Sequence, residues 1–337
     1  MPHGYPKPWL SLEDQLAQLK ARGMLVEDEI KARYYLDRVG YYRLSGYWFA
    51  FRERTGLCNA WSPGIRPKAK DAKAVRLVLD EFKPGARFED AVKLYVFDKR
   101  LRLLVMDALE RVEISLRVDV AHRLGERDPF AYLRPEQFHT TFAQEIDQKT
   151  GLTKHQDWLA KQAQLIGRSR EEFIRHNRDK YGLPLAIWVA CEVWDFGCMS
   201  RLYDGLTEAD QDAIAQAYGV RNGRIFATWL RSLNYLRNVC AHHGRLWNRN
   251  IVDQPRLPPQ AELDWVASYE GLDNRHRLAR PFLLLRMTQH LMQHINPTSS
   301  WGQRLRRHLL EEFPNLDHLG LNLAGMGAPD GWDAAGW

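Results

Sequence analysis

The stretch from Ala227 to Arg249 most constrains the fold, because an apolar stripe with helical spacing ends there in a cluster of Arg, Asn and His. The apolar members recur at steps of three and four positions: Phe226, Trp229, Leu230, Leu233, Leu236 and Cys240. This period predicts a helix with one buried face. A second, polar stripe follows the same period: Asn234, Asn238, His242 and Arg245. Gly244 is the residue at which we expect the helix to end, with both histidines in its last, solvent-exposed turn.

Arg237 lies at the edge of the predicted buried face, so its guanidinium needs an anionic partner. One candidate is a carboxylate from a neighbouring helix, and Glu110, Glu113 and Asp119 are suited to this role. The other candidate is a phosphate, which the planar guanidinium can bind through two parallel hydrogen bonds. The residues alone leave both alternatives open.

Arg and His five positions apart are weak evidence of a site, because such pairs arise by chance in an Arg-rich chain. Three pairs occur: Arg117/His122, Arg134/His139 and Arg237/His242. Only in the third does a polar residue, Asn238, directly follow the Arg. For Arg117 and His122, we expect a structural role on a long helix. The third pair is therefore the candidate for chemistry.

Arg237-Asn-Val-Cys-Ala-His242 resembles the Arg-polar-x-x-x-His motif of the HEPN superfamily of helical ribonucleases. The longer segment from Leu236 to Arg249 resembles the Abi-like (AbiD/AbiF) proteins of phage abortive infection. Two further stretches carry the same resemblance, namely Lys7–Leu16 with Val39–Tyr47, and Leu183–Tyr203. The matching stretches occur in the expected order and span most of the chain. We therefore identify the chain as a member of the Abi-like family.

The resemblance implies a metal-independent endoribonuclease in which Arg237, Asn238 and His242 are catalytic, with no cofactor. The RNA 2′-hydroxyl would be the nucleophile, leaving a 2′,3′-cyclic phosphate. A single His does not readily serve as both base and acid, so either His243 assists or a second subunit supplies its own motif, as the HEPN resemblance implies. We therefore predict a homodimer. The remaining candidates for RNA binding, with helix-end capping as the alternative, are His243, Arg245, Trp247 and Arg249.

Two other functions remain open. The family resemblance also implies phage defence with a small noncoding RNA as partner, and such a protein could bind RNA without cutting it. Arg237 and His242 would then only hold helices together. A protein-interaction scaffold that retains no RNA is the third hypothesis.

The expected fold is all-α, a HEPN-like helical bundle with an N-terminal helical extension. We predict one Abi-like unit over residues 1–337, because no long Pro/Gly/Ser linker divides the chain. Its expected parts are an N-terminal helical region at 1–52, a basic loop at 53–86, a HEPN-like core at 87–296, and a C-terminal helix with a flexible tail at 297–337. Within the core, a helix from Pro184 to near Gly197 is expected to pack against the Arg237 helix. The aromatic block Gly40–Arg52 keeps helical spacing, although its residues would also suit a strand.

Several classes of protein are disfavoured. No run of about 18 apolar residues occurs and the N-terminus lacks a signal-peptide core, so we expect a cytoplasmic protein with no membrane association. The four cysteines lack Cys-x-x-Cys spacing, and His290-x-x-x-His294 lacks a third ligand, so no metal site is expected. A phosphate-binding Gly-rich loop and a Gly-x-Ser-x-Gly elbow are both absent from the sequence. The net charge of +6 is compatible with an RNA partner but weak evidence by itself.

Overall fold

The computed structural model of the protein describes residues 8–59, 74–271 and 274–334. Most of them are helical, which confirms the predicted all-α class, and two short antiparallel strand pairs accompany the helices. The chain folds into two compact units. The first unit is Met1–Arg100 with His308–Leu323, and the second is Leu101–Arg307 with Ala324–Trp337. The predicted boundaries at residues 52, 86 and 296 stay predictions.

The first unit opens with helices whose ends follow from local sequence. They are α1 (Leu12–Ala21), α2 (Glu29–Arg38) and α3 (Tyr41–Trp48). Ser11 caps α1 by accepting a hydrogen bond from the backbone N–H of Asp14 at 3.1 Å, and Asp28 caps α2 in the same way. The aromatic block is helical up to Trp48, as its spacing predicts, and then passes through a short 3-10 turn into a strand.

Two antiparallel pairs of short strands border the segment predicted as a loop. The strands are β1 (Arg52–Arg54), β2 (Cys58–Asn59), β3 (Ala74–Val75) and β4 (Val78–Phe82). β1 pairs with β4 and β2 pairs with β3. The prediction of a loop over 53–86 is therefore corrected at both of its ends, because strand pairing across the segment is a non-local contact that Gly and Pro content does not reveal. The basic Trp61–Lys70 part of that prediction lies outside the described residues.

A continuous helix, α4 (Phe88–Gly125), contributes its first part to the first unit and its remainder to the second. The second unit adds a series of helices: α5 (Thr140–Ala143), α6 (Lys154–Arg168), α7 (Glu172–Tyr181), α8 (Ile187–Ala190), α9 (Phe196–Gly205), α10 (Glu208–Ala217), α11 (Gly223–Ala241), α12 (Arg275–Leu278) and α13 (Pro281–Ile295). α14 (Trp301–Glu311) begins in this unit. Among the described residues, no helix combines the length and apolar content needed to cross a bilayer.

The C-terminal segment packs within the second unit as far as the structure describes it, and its flexibility stays a prediction. Met326 and Ala328 are buried, and the Trp332 ring packs edge-on against Phe282 with ring centroids 5.2 Å apart. Apolar side chains spaced among the glycines thus anchor this segment within the second unit. Residues 335–337 lie outside the described part of the chain.

Candidate active site

α11 carries the candidate catalytic residues, and its sequence determines where it begins and which face it buries. Asn222 caps the first turn by accepting a hydrogen bond from the Ile225 N–H at 3.0 Å. The six apolar side chains predicted to share one face are all 3% exposed or less. The predicted buried face is therefore confirmed, and α9, α10 and α13 pack against this helix.

The chain between Pro184 and Gly197 does not form the single helix that we expected. It forms the one-turn helix α8, a 3-10 turn and the start of α9. The break falls at Trp194, which is extended (φ −79°, ψ 130°), and Asp195 restarts the helix by accepting the Cys198 N–H at 2.7 Å. α9 packs against α11 where Gly197 lies close to Asn234. Asp195 is the sequence feature that indicates a new helix start here, but the continuous apolar periodicity led us to predict one helix.

The C-terminus of α11 is closed by His243 and not by the predicted Gly244. His243 has a left-handed backbone, with φ of 55°. The Gly244 N–H donates to the Val239 carbonyl at 2.8 Å, and the His243 N–H donates to the Cys240 carbonyl at 3.1 Å. These paired bonds form a Schellman motif, in which glycine is the usual left-handed residue. A histidine in this position stores backbone strain directly beside the candidate site.

The catalytic candidates Arg237, Asn238 and His242 lie at the C-terminus of α11 and are linked by hydrogen bonds to Asn238. Arg237 is half-buried, and its Nη1 donates to Asn238 Oδ1 at 3.4 Å. His242 follows the last helical residue, is exposed, and donates its backbone N–H to the Asn238 carbonyl at 3.0 Å. Asn238 is thus hydrogen-bonded to both Arg237 and His242. His242 is open to solvent, and it lies one position after the last helical residue instead of within the last turn, where we expected it.

The Arg237 guanidinium lines an open cavity of about 390 Å³. The opposite wall comes from α4 and includes Asp107, Glu110, Glu113 and Arg117. Within the described part of the chain, no carboxylate oxygen lies within 4.0 Å of the Arg237 guanidinium nitrogens. His242 is not among the residues that line this cavity. The interior acid that could have neutralised Arg237 is therefore near but not paired with it.

Glu113, on the α4 wall of the cavity, lies near both Arg117 and Arg237. Burial raises its pKa, while the positive charges of Arg117 and Arg237 oppose that rise. Its Oε1 accepts a hydrogen bond from Arg117 Nη2 at 3.2 Å. Asp107, by contrast, is paired with Arg304 at 2.6 Å. The cavity therefore holds one arginine engaged by Glu113 and a second, Arg237, that is available for a ligand anion.

Arg117 has the structural role that we expected, in ion pairs with Glu113 and with Glu192, the latter at 3.5 Å. It also lines the Arg237 cavity, a position that the sequence did not predict. The i, i+4 spacing of Glu113 and Arg117 on a helix was the sequence feature that could have predicted their ion pair. Asp119 accepts a hydrogen bond from the Tyr218 hydroxyl, so it is engaged away from Arg237.

The candidate RNA-binding residues after the helix differ in accessibility. His243 is exposed, whereas Arg245 and Arg249 are half-buried. Arg249 Nε donates to the Tyr235 hydroxyl at 2.7 Å. Trp247 is only 1% exposed, so its ring packs in the core and does not present a stacking face, which corrects its predicted availability to RNA. In the sequence, Trp247 follows the apolar Leu246, and this pair was compatible with either a buried or an exposed tryptophan.

His290 and His294 are turned to backbone carbonyls. His290 Nε2 donates to the Tyr218 carbonyl at 2.9 Å, and His294 Nδ1 donates to the His290 carbonyl at 2.9 Å. Across the described residues, no group of three or more His, Cys, Asp or Glu side chains is arranged to hold a metal ion. Cys191, Cys198 and Cys240 are buried.

The chain matches the model of a known protein family. The family model described as "Abi-like protein" matches residues 34–248, which include the cavity wall on α4 and the whole of α11. No curated protein matches the chain, and no solved structure does.

Proposed function

This chain belongs to the Abi-like protein family, which points to phage defence by abortive infection, and from that premise we propose that it acts as a metal-independent endoribonuclease of the HEPN type. Arg237, Asn238 and His242 are the proposed catalytic residues. RNA is the proposed substrate, and no cofactor is required. The HEPN assignment rests on the motif at the end of α11.

One observation carries this proposal: Arg237 lines an open cavity with no carboxylate paired to it in the described residues. A half-buried guanidinium has lost part of its hydration, so an anion that enters the cavity recovers a favourable interaction. A phosphodiester has the charge and the paired oxygens that a guanidinium binds well. Asn238, hydrogen-bonded to Arg237, helps to orient it.

The proposed reaction is a transesterification followed by release. The RNA 2′-oxygen attacks phosphorus, and the bond from phosphorus to the 5′-oxygen breaks, which leaves a 2′,3′-cyclic phosphate and a 5′-hydroxyl. A base takes the 2′-hydroxyl proton, and an acid protonates the leaving 5′-oxygen. His242 performs one transfer and Arg237 offsets the charge that builds on the phosphate oxygens. His243, Glu113 or a second copy of the motif supplies the other transfer.

Cleavage of labelled RNA by purified protein in EDTA tests the proposal. Arg237→Ala and His242→Ala are each expected to lower the rate at least about 100-fold. Arg231→Ala on the exposed side of the same helix and His176→Ala on α7 are matched controls, expected to cleave normally. Cleavage that persists in both site variants would exclude these residues as the catalytic pair.

The same experiment addresses the alternative of a non-catalytic RNA-binding protein partnered with a small noncoding RNA. The position of His242 outside the lining of the Arg237 cavity favours this alternative, because a catalytic pair must converge on one phosphate. Retention of RNA without cleavage, weakened by Arg237→Ala and by rising salt, is the outcome that the alternative predicts. Failure to retain any RNA at low salt would contradict both functions.

A homodimer resolves the separation of His242 from the cavity, if the histidine of one subunit serves the arginine of the other. Mixed Arg237→Ala and His242→Ala proteins would then form heterodimers with one intact site, and mixing is expected to restore measurable cleavage. Sedimentation as a monomer under assay conditions, or dimers with no recovery on mixing, would reject a shared site.

A further inference from the structure

The second unit contains another cavity, of about 560 Å³, that shares no residue with the Arg237 cavity. Its walls are formed by the 3-10 helix Asp264–Tyr269, by α13 and by the C-terminal segment. The volume is within the range of pockets for small organic ligands, roughly 300–1,000 Å³. Its lining is rich in aromatic rings, with Trp265, Tyr269, Phe282 and Trp332 all taking part.

Two hydrogen-bonding groups of this cavity lack partners in the described part of the chain. Tyr269 is only 4% exposed, and its buried hydroxyl makes no hydrogen bond there. The indole N–H of Trp265 is also buried and unpaired. Buried polar groups are nearly always satisfied in native proteins, because an unmade hydrogen bond costs free energy. Two such groups on one cavity indicate a ligand that accepts hydrogen bonds.

The cavity also holds a cation in an aromatic setting. The Arg286 guanidinium lies 5.9 Å from the centroid of the Trp265 ring. Arg286 is half-buried, and this burial lowers the pKa of its guanidinium. Arg277, which pairs with Asp330 at 3.5 Å, places a further positive charge near the Tyr269 hydroxyl. A bound anion would therefore be favourable beside Tyr269.

The rim of the cavity provides acceptors as well. Glu262 accepts a hydrogen bond from the Arg221 N–H at 2.7 Å, and Asp264 is exposed. Carboxylates repel a phosphate but accept hydrogen bonds from base amino groups and ribose hydroxyls. A ligand that suits all of these groups has a flat aromatic part, an anionic part, and donors and acceptors on both.

We infer that this cavity binds a nucleotide, with the base against the aromatic walls and the phosphate at Arg286. Aromatic faces bind bases by stacking, and guanidinium groups bind phosphate oxygens. Tyr269 and Trp265 donate to acceptor atoms of the ligand. The nucleotide is either a free mononucleotide or one nucleotide of an RNA strand. Binding at this cavity does not depend on catalysis at Arg237.

Calorimetric titration of the full-length protein with AMP, GMP, CMP and UMP tests the inference. Saturable binding of at least one of them at roughly millimolar affinity or tighter is expected, and inorganic phosphate should bind more weakly. Repeating the titration with Arg237→Ala removes any phosphate binding at the Arg237 cavity, and the saturable binding that remains is the binding assigned to the aromatic cavity, so that the nuclease proposal and this one can fail separately. No saturable binding of any of the four by the wild-type protein would overturn the inference.

Tyr269→Phe is the sharpest variant, because it removes only a hydroxyl that has no partner among the described residues. Its melting temperature should match or exceed that of wild type, while nucleotide affinity falls by about five-fold. Arg286→Gln should weaken binding by about ten-fold. Tyr42→Phe, at a tyrosine that is 92% exposed, is the matched control and should change neither property. Binding undiminished in both cavity variants would contradict the assignment.

A competition experiment identifies the source of the nucleotide. A short 2′-O-methyl RNA cannot be cleaved through its 2′-oxygen, and it carries the same bases and phosphates. Displacement of the bound mononucleotide by this RNA would show that the cavity takes a nucleotide of a strand. Simultaneous binding of both would show that the cavity takes a free nucleotide. Either result keeps the cavity as a nucleotide site.

Discussion

Two arginines that line one cavity illustrate how the surroundings of a residue decide its role. Arg117 has a side chain that is 14% exposed and pairs with Glu113 and Glu192. Arg237 is half-buried, and within the described chain its guanidinium hydrogen-bonds only to Asn238. The first guanidinium is therefore engaged by the protein itself, and the second is available to a ligand. The same residue type thus stabilises the fold at one position and is a candidate for binding at the other.

This difference predicts unequal costs for the two alanine substitutions. Arg117→Ala leaves Glu113 buried without its partner and should lower the free energy of unfolding by about 3 kcal/mol. Arg237→Ala removes one long hydrogen bond and should cost about 1 kcal/mol or less. Urea denaturation of both variants measures the difference. An Arg237→Ala protein as unstable as Arg117→Ala would show that Arg237 is structural.

The sequence predicted the position of Arg237 at the edge of the buried face, because helical periodicity is a local property. It did not decide between a carboxylate and a phosphate as partner. That choice depends on side-chain contacts between α4 and α11, which are far apart in the chain. The burial of Trp247 could not be predicted either, since an aromatic residue after a helix can face either the core or solvent.

At the scale of elements, helices were predictable from period and caps, but their interruptions were not. α11 has its buried face as predicted, whereas the stretch from Pro184 to Gly197 divides at Asp195. The strand pairs β1–β4 and β2–β3 were missed because short strands are stabilised by partners distant in sequence. The end of α11 was misplaced by one residue, since a Gly next to a His suggested the wrong left-handed position.

The left-handed His243 gives a prediction for the helix end. His243→Gly relieves the backbone strain and should raise the free energy of unfolding by about 0.5–1 kcal/mol. His242 has a φ of −89°, so His242→Gly relieves no backbone strain and should lower the free energy of unfolding by about 0.5–1 kcal/mol. Urea denaturation of the two neighbouring variants compares these signs. Destabilisation by His243→Gly would mean that side-chain contacts of His243 outweigh its strain.

At the scale of the whole molecule, the second unit contains both the Arg237 cavity and the aromatic cavity. α13 contributes Arg286 to the aromatic cavity and buries His290 one turn later, at 7% exposure. Burial is the main reason that the pKa of His290 is lowered to about 4. The imidazole is therefore neutral in the folded protein at pH values where it would be protonated in the unfolded chain.

This shift predicts an acid-sensitive unit. The unfolded chain takes up a proton at His290 near pH 6.5, and the folded chain does so only near pH 4, so stability is lost as pH falls between these values. The loss from this residue reaches about 3 kcal/mol. His290→Gln keeps a donor for the Tyr218 carbonyl and does not titrate, so its stability should fall less between pH 6.5 and 4. Parallel curves for the two proteins would contradict the prediction.

The central proposal is that Arg237 binds the phosphate at which RNA is cut, with the RNA 2′-hydroxyl as the nucleophile. The most direct test is to identify the ends left on a defined RNA after incubation with the protein in EDTA. The wild-type protein is expected to leave 2′,3′-cyclic phosphate and 5′-hydroxyl ends, and Arg237→Ala is expected to leave neither. Ends bearing a 3′-hydroxyl and a 5′-phosphate, or the expected ends from both proteins alike, would contradict this role of Arg237.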